Sequence, residues 1–195
     1  MSRRIVLASG SPRRRQLLAD LGVDFTVDTV DGVDETVDPS VEAAEVAPFL
    51  SRKKARAYCE AKHPDDNTIV ITADTVVVVD DEVLGKPADA ADARRMLGML
   101  SGRTHKVVTG VTVVCGQRCD TRRQVTEVNF KPLSDDEIEY YVSAYRPFDK
   151  AGAYGIQEWI GCIGIEGISG DYYNVMGLPL RLLYEMLLES VSGHR

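Results

Sequence analysis

Short apolar runs alternate along this chain with stretches whose apolar residues recur at helical spacing. Ile5-Val6-Leu7-Ala8 reads as a buried strand ending in Ser9-Gly10-Ser11. Ser11 suits a helix N-cap and Pro12 the first helical position, where a missing N–H costs nothing. Leu17, Leu18 and Leu21 then share one helical face, and Gly22 is placed to end the helix. Phe25-Thr26-Val27 is a short strand candidate, followed by an acidic loop from Asp28 to Asp38. Residues 40–62 read as a helix with Pro48 at its start or at a kink. Residues 68–79 form the strongest β pattern, with Asp74 interrupting an Ile, Val, Thr and Ala run and Asp80-Asp81 turning the chain.

The second half continues the alternation. Residues 88–100 predict a helix, 106–114 a buried strand, and 121–130 its antiparallel partner beyond a turn at Gly116-Gln117-Arg118. Ser134-Asp135-Asp136-Glu137 is a capping-box sequence opening a helix to about Tyr145. The glycine-rich stretch 152–170 reads as mostly β, and Leu178-Pro179 opens a last amphipathic helix running to about Glu189. Strands alternating with helices, plus one hairpin, predict an α/β fold on a mixed sheet.

Composition narrows the class. The 195 residues are 44% hydrophobic and 27% charged, which suits a single globular domain over 1–195. No apolar run reaches the ~20 residues that span a bilayer. Only four apolar residues follow Met-Ser-Arg-Arg, too few for a secretory signal, so a cytoplasmic protein with no membrane partner is expected. The net charge of −7 argues against a nucleic-acid binder. Cys59, Cys115, Cys119 and Cys162 form no Cys-x-x-Cys pair and histidines number only three, so reduced thiols rather than zinc ligands are expected.

The basic residues present are clustered, which changes the picture. Arg13, Arg14 and Arg15 fall in a first helical turn, where the dipole already repels cations. Such a turn, opening on Ser9-Gly10-Ser11, is better suited to hold an anion than to be a solvated face. Asp74 is the sharpest single residue, because a carboxylate within an apolar strand is costly without a cation or metal. Glu35 is a second carboxylate, and Lys54 and the turn residue Lys86 are candidate phosphate ligands, although solvated surface positions explain those two equally well. In Asp149-Lys150-Ala151-Gly152-Ala153-Tyr154-Gly155-Ile156-Gln157, small residues admit a ligand and Gln157 offers the donor and acceptor a uracil or thymine edge needs. This inventory suits metal-assisted attack on a nucleoside triphosphate, since Mg²⁺ is commonly held by one or two carboxylates plus substrate phosphates.

The motifs Ala8-Ser9-Gly10-Ser11-Pro12-Arg13-Arg14, Lys54-Ala55, Ala73-Asp74-Thr75-Val76-Val77, Gly85-Lys86-Pro87, Ser101-Gly102-Arg103-Thr104-His105, Asp149 to Gln157 and Gly170-Asp171-Tyr172-Tyr173-Asn174-Val175-Met176-Gly177-Leu178-Pro179 occur in the order seen in Maf proteins. The resemblance covers nearly the whole chain. It implies an inosine-triphosphate-pyrophosphatase-like fold: an elongated mixed sheet flanked by helices, with two lobes around a cleft. It also implies hydrolysis of nucleoside triphosphates to the monophosphate and pyrophosphate, with a divalent cation (Mg²⁺ or Mn²⁺). By resemblance Asp74 is the proton acceptor, Ser9, Arg14, Lys54 and Lys86 hold phosphate, and Glu35 and Asp74 hold the metal.

Two subfamilies differ at visible positions. The 7-methyl-GTP type resembles Ser-Pro-Trp-Arg-Arg, Ser-Asp-Gln and Asp-Cys-Ala-Gly with a later Glu; the dTTP/UTP type resembles Ser-Pro-Arg-Arg, Ala-Asp-Thr and Asp-Lys-Ala-Gly followed by Ile-Gln. Arg13, Thr75 and Gln157 match the second type and are the implied specificity residues. Glu158-Trp159 stands where family members usually carry glycine, and this bulkier, charged pair is expected either to narrow the base pocket or to alter the lobe contact. The implied role is cleaning of the nucleotide pool by dTTP and UTP hydrolysis. The competing readings are the 7-methyl-GTP activity and a division-regulating binding protein, since the family is associated with septum arrest on overproduction. The resemblance also allows a homodimer, which no residue here specifies.

Overall fold

The computed structural model describes residues 3–192. Seven strands form one sheet in the order β2-β1-β3-β5-β6-β7, with β4 paired to β3. The strands are β1 (Arg4–Leu7), β2 (Phe25–Val27), β3 (Thr68–Val79), β4 (Glu82–Leu84), β5 (Thr104–Cys115), β6 (Arg118–Phe130) and β7 (Ile165–Ser169). The helices are α1 (Pro12–Asp20), α2 (Ala43–Lys62), α3 (Ala90–Leu100), α4 (Asp135–Tyr145), α5 (Trp159–Gly164), α6 (Tyr172–Met176) and α7 (Leu180–Ser192), with a 3-10 turn at Ala151–Ala153. β1 pairs in parallel with β2 and β3, whereas β4 joins β3 and β7 joins β6 antiparallel. The expected mixed α/β sheet with flanking helices is therefore present. β3 is buried along nearly all its length, as its largely apolar sequence on both sides of Asp74 requires.

The chain divides into two compact units. The first holds residues up to Asp74, Thr109–Gln124 and the chain from Gly177; the second holds Thr75–Val108 and Val125–Met176. β3, β5 and β6 contribute residues to both, so neither unit is one continuous stretch of sequence. In the first, Val6, Val70 and Tyr58 bring β1, β3 and α2 into one cluster. In the second, Val77, Leu97, Leu100, Val107, Phe130, Tyr141 and Ile160 belong to a larger core.

Local chemistry sets the element ends. The Ser11 hydroxyl accepts from the Arg14 N–H and Pro12 takes the first turn of α1. Gly22, at φ 74°, follows the last turn. Ser134 and Glu137 form both halves of the capping box on α4. Asp80 (φ 48°) and Asp81 (φ 63°) turn β3 into β4, the left-handed pair of a two-residue hairpin.

Two expectations are corrected. Helix α2 begins at Ala43 and continues past Pro48, which lies buried inside it rather than at its start. The cost of the missing donor is met by packing, because Pro48 and Ala47 lie directly against Gly110 of β5. The stretch 152–170 is strand only over Ile165–Ser169; its first part is the 3-10 turn and α5. Ile160, fully buried, anchors that short helix in the core, and the Ile156 backbone lies so close to Gly161 that no Cβ would fit. Tertiary contact overrides the local β signal there. Strand β4 at Glu82–Leu84 is an addition to the elements that the pattern predicts, directly after the turn expected at Asp80-Asp81. All four cysteines are free, as expected, although Cys119 and Cys162 are exposed rather than packed.

Candidate active site

Asp74 ends the first unit's share of β3 and is almost wholly buried. Its Oδ1 receives the Lys54 ammonium at 2.5 Å. The same Nζ lies 3.1 Å from Oε1 of Glu35, so one cation bridges two carboxylates. The acids differ sharply in setting, with side-chain exposures of 12% for Asp74 and 54% for Glu35. A pair so arranged is a buried charge with its partner and a solvent-side arm that leaves room for a ligand.

The approach of Lys54 to Asp74 follows from how α2 seats on the sheet. Thr72 Oγ1 donates to the Ser51 carbonyl at 2.7 Å, joining β3 to α2. Ser51 Oγ lies 2.7 Å from Thr112 Oγ1, which is 2.9 Å from Thr121 Oγ1. Lys54 is three residues beyond Ser51 on the helix, and Asp74 two beyond Thr72 on the same side of the strand. The hydroxyl ladder thus fixes the register that brings ammonium to carboxylate. Gly110 permits it: a Cβ there would meet the Pro48 nitrogen at 2.4 Å.

Arg14 is a second cation beside Asp74. Its Nη1 donates to the Ala73 carbonyl at 2.7 Å and its Nε to the Gly177 carbonyl at 2.8 Å. Burial pushes the Arg14 guanidinium below the ordinary arginine value; Asp74 opposes the shift, Arg13 adds to it, and Glu35 opposes it more weakly. Arg14 therefore sits in the field of both carboxylates and of Arg13. Ser9 holds the turn before α1 by accepting the Ser11 N–H at 3.3 Å. Ser9, Arg13, Arg14, Glu35, Lys54 and Asp74 all belong to the first unit. Arg15, in the same basic run, is exposed.

Thr75, Lys86 and Gln157 belong to the second unit. Thr75 is half-buried on β3, whereas Lys86 and Gln157 are exposed. The Gly152 N–H donates to the Gly85 carbonyl at 3.0 Å, tying the Lys86 turn to the start of the loop that ends at Gln157. Gly152 has φ 67°, and a Cβ there would lie 2.7 Å from Val77 Cγ2, so glycine is required on both counts. Sequence reasoning assigned no role to Lys150, Tyr141 or the Ala73 and Gly177 carbonyls. Lys150 lay inside a quoted motif, but Tyr141 is 13 residues before Tyr154 on an ordinary helix face and gave no signal.

Among the described residues no group of three or more His, Cys, Asp and Glu side chains gathers as a metal cage. Two carboxylates converging on one cationic position still fit a divalent cation whose remaining ligands are phosphate oxygens and water. No helix is long and apolar enough to cross a membrane among those residues.

An α/β sheet carrying a carboxylate–ammonium–carboxylate bridge beside a basic helix start is the setting of a protein that handles a polyanion. The Maf-like protein family profile matches residues 4–190, and the chain belongs to that family. It is 52% identical over 186 residues to the dTTP/UTP pyrophosphatase of Phocaeicola vulgatus, covering 94% of each chain. It is 50% identical over 186 residues to the dTTP/UTP pyrophosphatase of Porphyromonas gingivalis (strain ATCC 33277), covering 94% of this chain and 92% of that one. Among solved structures, a HAM1 protein from Coxiella burnetii aligns over 95% of this chain and 98% of its own, with a TM-score of 0.49 and 18% identity.

Proposed function

We propose that this protein is a nucleoside triphosphate pyrophosphatase acting on dTTP and UTP. The names of its relatives support the substrate class, and the observation that carries the chemistry is the Lys54 ammonium set between Asp74 and Glu35. Water attacks the α-phosphorus, the α–β phosphoanhydride bond breaks, and pyrophosphate leaves with the bonding electrons. Asp74 accepts the proton of the attacking water at Oδ2, while Lys54 holds Oδ1. Ser9, Arg14, Lys54 and Lys86 bind phosphate, and Arg13, Thr75 and Gln157 select the base. Glu35 and Asp74 would hold a divalent cation, which when bound supplies charge neutralisation at the phosphates.

A nucleotide panel with pyrophosphate detection, with and without Mg²⁺ or Mn²⁺, tests this reading. The wild-type protein releases pyrophosphate and the monophosphate from dTTP and UTP. Asp74→Asn lowers kcat by about 10²–10⁴, the usual contribution of a positioned proton acceptor. Near-normal turnover in that variant removes Asp74 from its role, and silence of the wild type toward dTTP and UTP removes the activity itself. A homodimer and a cytoplasmic site of action remain part of the same proposal, checked by sedimentation and by fractionation.

A further inference from the structure

The second unit holds a polar network behind Gln157 that the reaction above does not use. Lys150 Nζ lies 3.0 Å from Glu158 Oε1 and 2.8 Å from Asp149 Oδ1, with the Lys150 side chain only 9% exposed. The Tyr141 hydroxyl donates to Glu158 Oε2 and accepts the Gly155 N–H at 3.1 Å. The Glu158 N–H closes the circuit on the Gly155 carbonyl at 3.0 Å. Gly155, Gln157 and Glu158 are tightly nested. A Cβ on Gly155 would lie 3.0 Å from Glu158 Cδ and 3.2 Å from Gln157 Nε2.

From this arrangement we infer that Glu158 is the positioning residue of the Gly155–Gln157 segment, setting pyrimidine selection by tying that loop to Lys150 and Tyr141. The inference rests on the reading of Gln157 as the base-selecting amide. Every backbone group of Gly155 is held by this network, its N–H through Tyr141 and its carbonyl by Glu158 itself. Gln157, two residues on, is exposed, and its amide nitrogen lies beside Gly155. Its amide is therefore held where the base edge is read only as well as Gly155 and Glu158 are held. Burial, and then the bond to Glu158, push the Tyr141 phenol above its ordinary range, so Tyr141 stays a neutral donor to the carboxylate at any working pH. A hydrogen-bonded network anchored on the buried Lys150 and Tyr141 side chains rigidifies the loop it ties down, and an orienting contact acts on substrate binding before it acts on the chemical step.

The test uses the full-length protein and the variants Glu158→Ala, Glu158→Gln, Tyr141→Phe and Gln157→Ala. Two readouts are taken: deuterium uptake of the segment 154–158 without nucleotide, and kcat and KM for dTTP, UTP and dGTP. Glu158→Ala should speed exchange at Gly155 and raise KM for dTTP and UTP about tenfold with kcat changed less than about twofold, while the KM for dGTP moves little. Glu158→Gln keeps an acceptor for Tyr141 and should recover most of both. Tyr141→Phe, which deletes one hydroxyl and no charge, should reproduce the faster exchange even if Glu158→Ala proves too unstable to purify. Unchanged exchange at Gly155 together with an unchanged ratio of dTTP to dGTP in folded Glu158→Ala or Tyr141→Phe overturns the inference. If Gln157→Ala leaves the pyrimidine preference intact, the reading of Gln157 fails instead, and the exchange data alone then decide the role of Glu158.

Discussion

His105 shows how a residue's environment can reverse its usual behaviour. The imidazole is buried on β5, with Nε2 2.8 Å from the Tyr154 hydroxyl and its ring edge-on to Phe130 and Tyr154. Burial alone pushes its pKa down to about 4. In the unfolded chain it binds a proton near pH 6.5. Between those values the unfolded state holds the extra proton, so stability rises with pH across that window and is lost as pH falls through it. The loss amounts to as much as about 3 kcal/mol once pH reaches the folded value. Urea unfolding of the wild type at pH 7 and pH 5 should show it, and His105→Gln should flatten this part of the profile. An equally steep slope in the variant would assign the acid sensitivity to carboxylates. At this scale Asp74 was legible, because a carboxylate in an apolar strand has few harmless explanations. Lys54 and Glu35 were named without their meeting, since 20 residues separate Lys54 from Asp74 and only the seat of α2 on β3 joins them.

Elements were read well where one local rule decided them. The N-cap of α1 and the capping box of α4 sit where Ser11 and Ser134 place them. They were misread where packing decided, as at Pro48 and in α5. Gly110 is the clearest case, an unremarkable glycine in a β pattern that proves to be the point where β5 meets the backbone of α2. A Cβ there would lie 2.5 Å from the Ala47 carbonyl carbon and oxygen, and backbone cannot swing aside as a side chain can. Gly110→Ala should therefore destabilise by about 1–3 kcal/mol or more through overpacking. Because α2 carries Lys54, the same change should also lower activity in protein that is still folded. Thermal unfolding and dTTP hydrolysis at a temperature well below the transition measure the two effects separately. A variant as stable as wild type would mean that α2 can slide on the sheet without cost.

For the whole molecule, binding can be separated from turnover. Anything that binds the folded chain and not the unfolded one stabilises it by RT ln(1 + [L]/Kd), about 2.7 kcal/mol at a hundredfold excess over Kd. For a chain of this size each kcal/mol moves Tm by roughly 2–4 °C. A dTTP analogue with a non-hydrolysable α–β bridge, added with Mg²⁺, should thus raise the Tm by several degrees in the wild type. Lys54→Ala removes the ammonium that Asp74 and Glu35 share and one proposed phosphate ligand, so its shift should shrink or vanish. Asp74→Asn keeps an oxygen acceptor for Lys54 and loses the proton-accepting charge. It should therefore lose turnover, and lose of the shift only the part that its share of the Mg²⁺ site supplies, a part that the same measurement without Mg²⁺ separates from the hold of the cations on phosphate. The acidic balance of the chain, net −7, gives a further handle, because a triphosphate must reach a local cluster of cations on a protein that repels it overall. Raising salt should then weaken the cluster's hold on phosphate while easing that repulsion, and a Tm shift that falls steeply between low and physiological ionic strength would show that the local cations dominate.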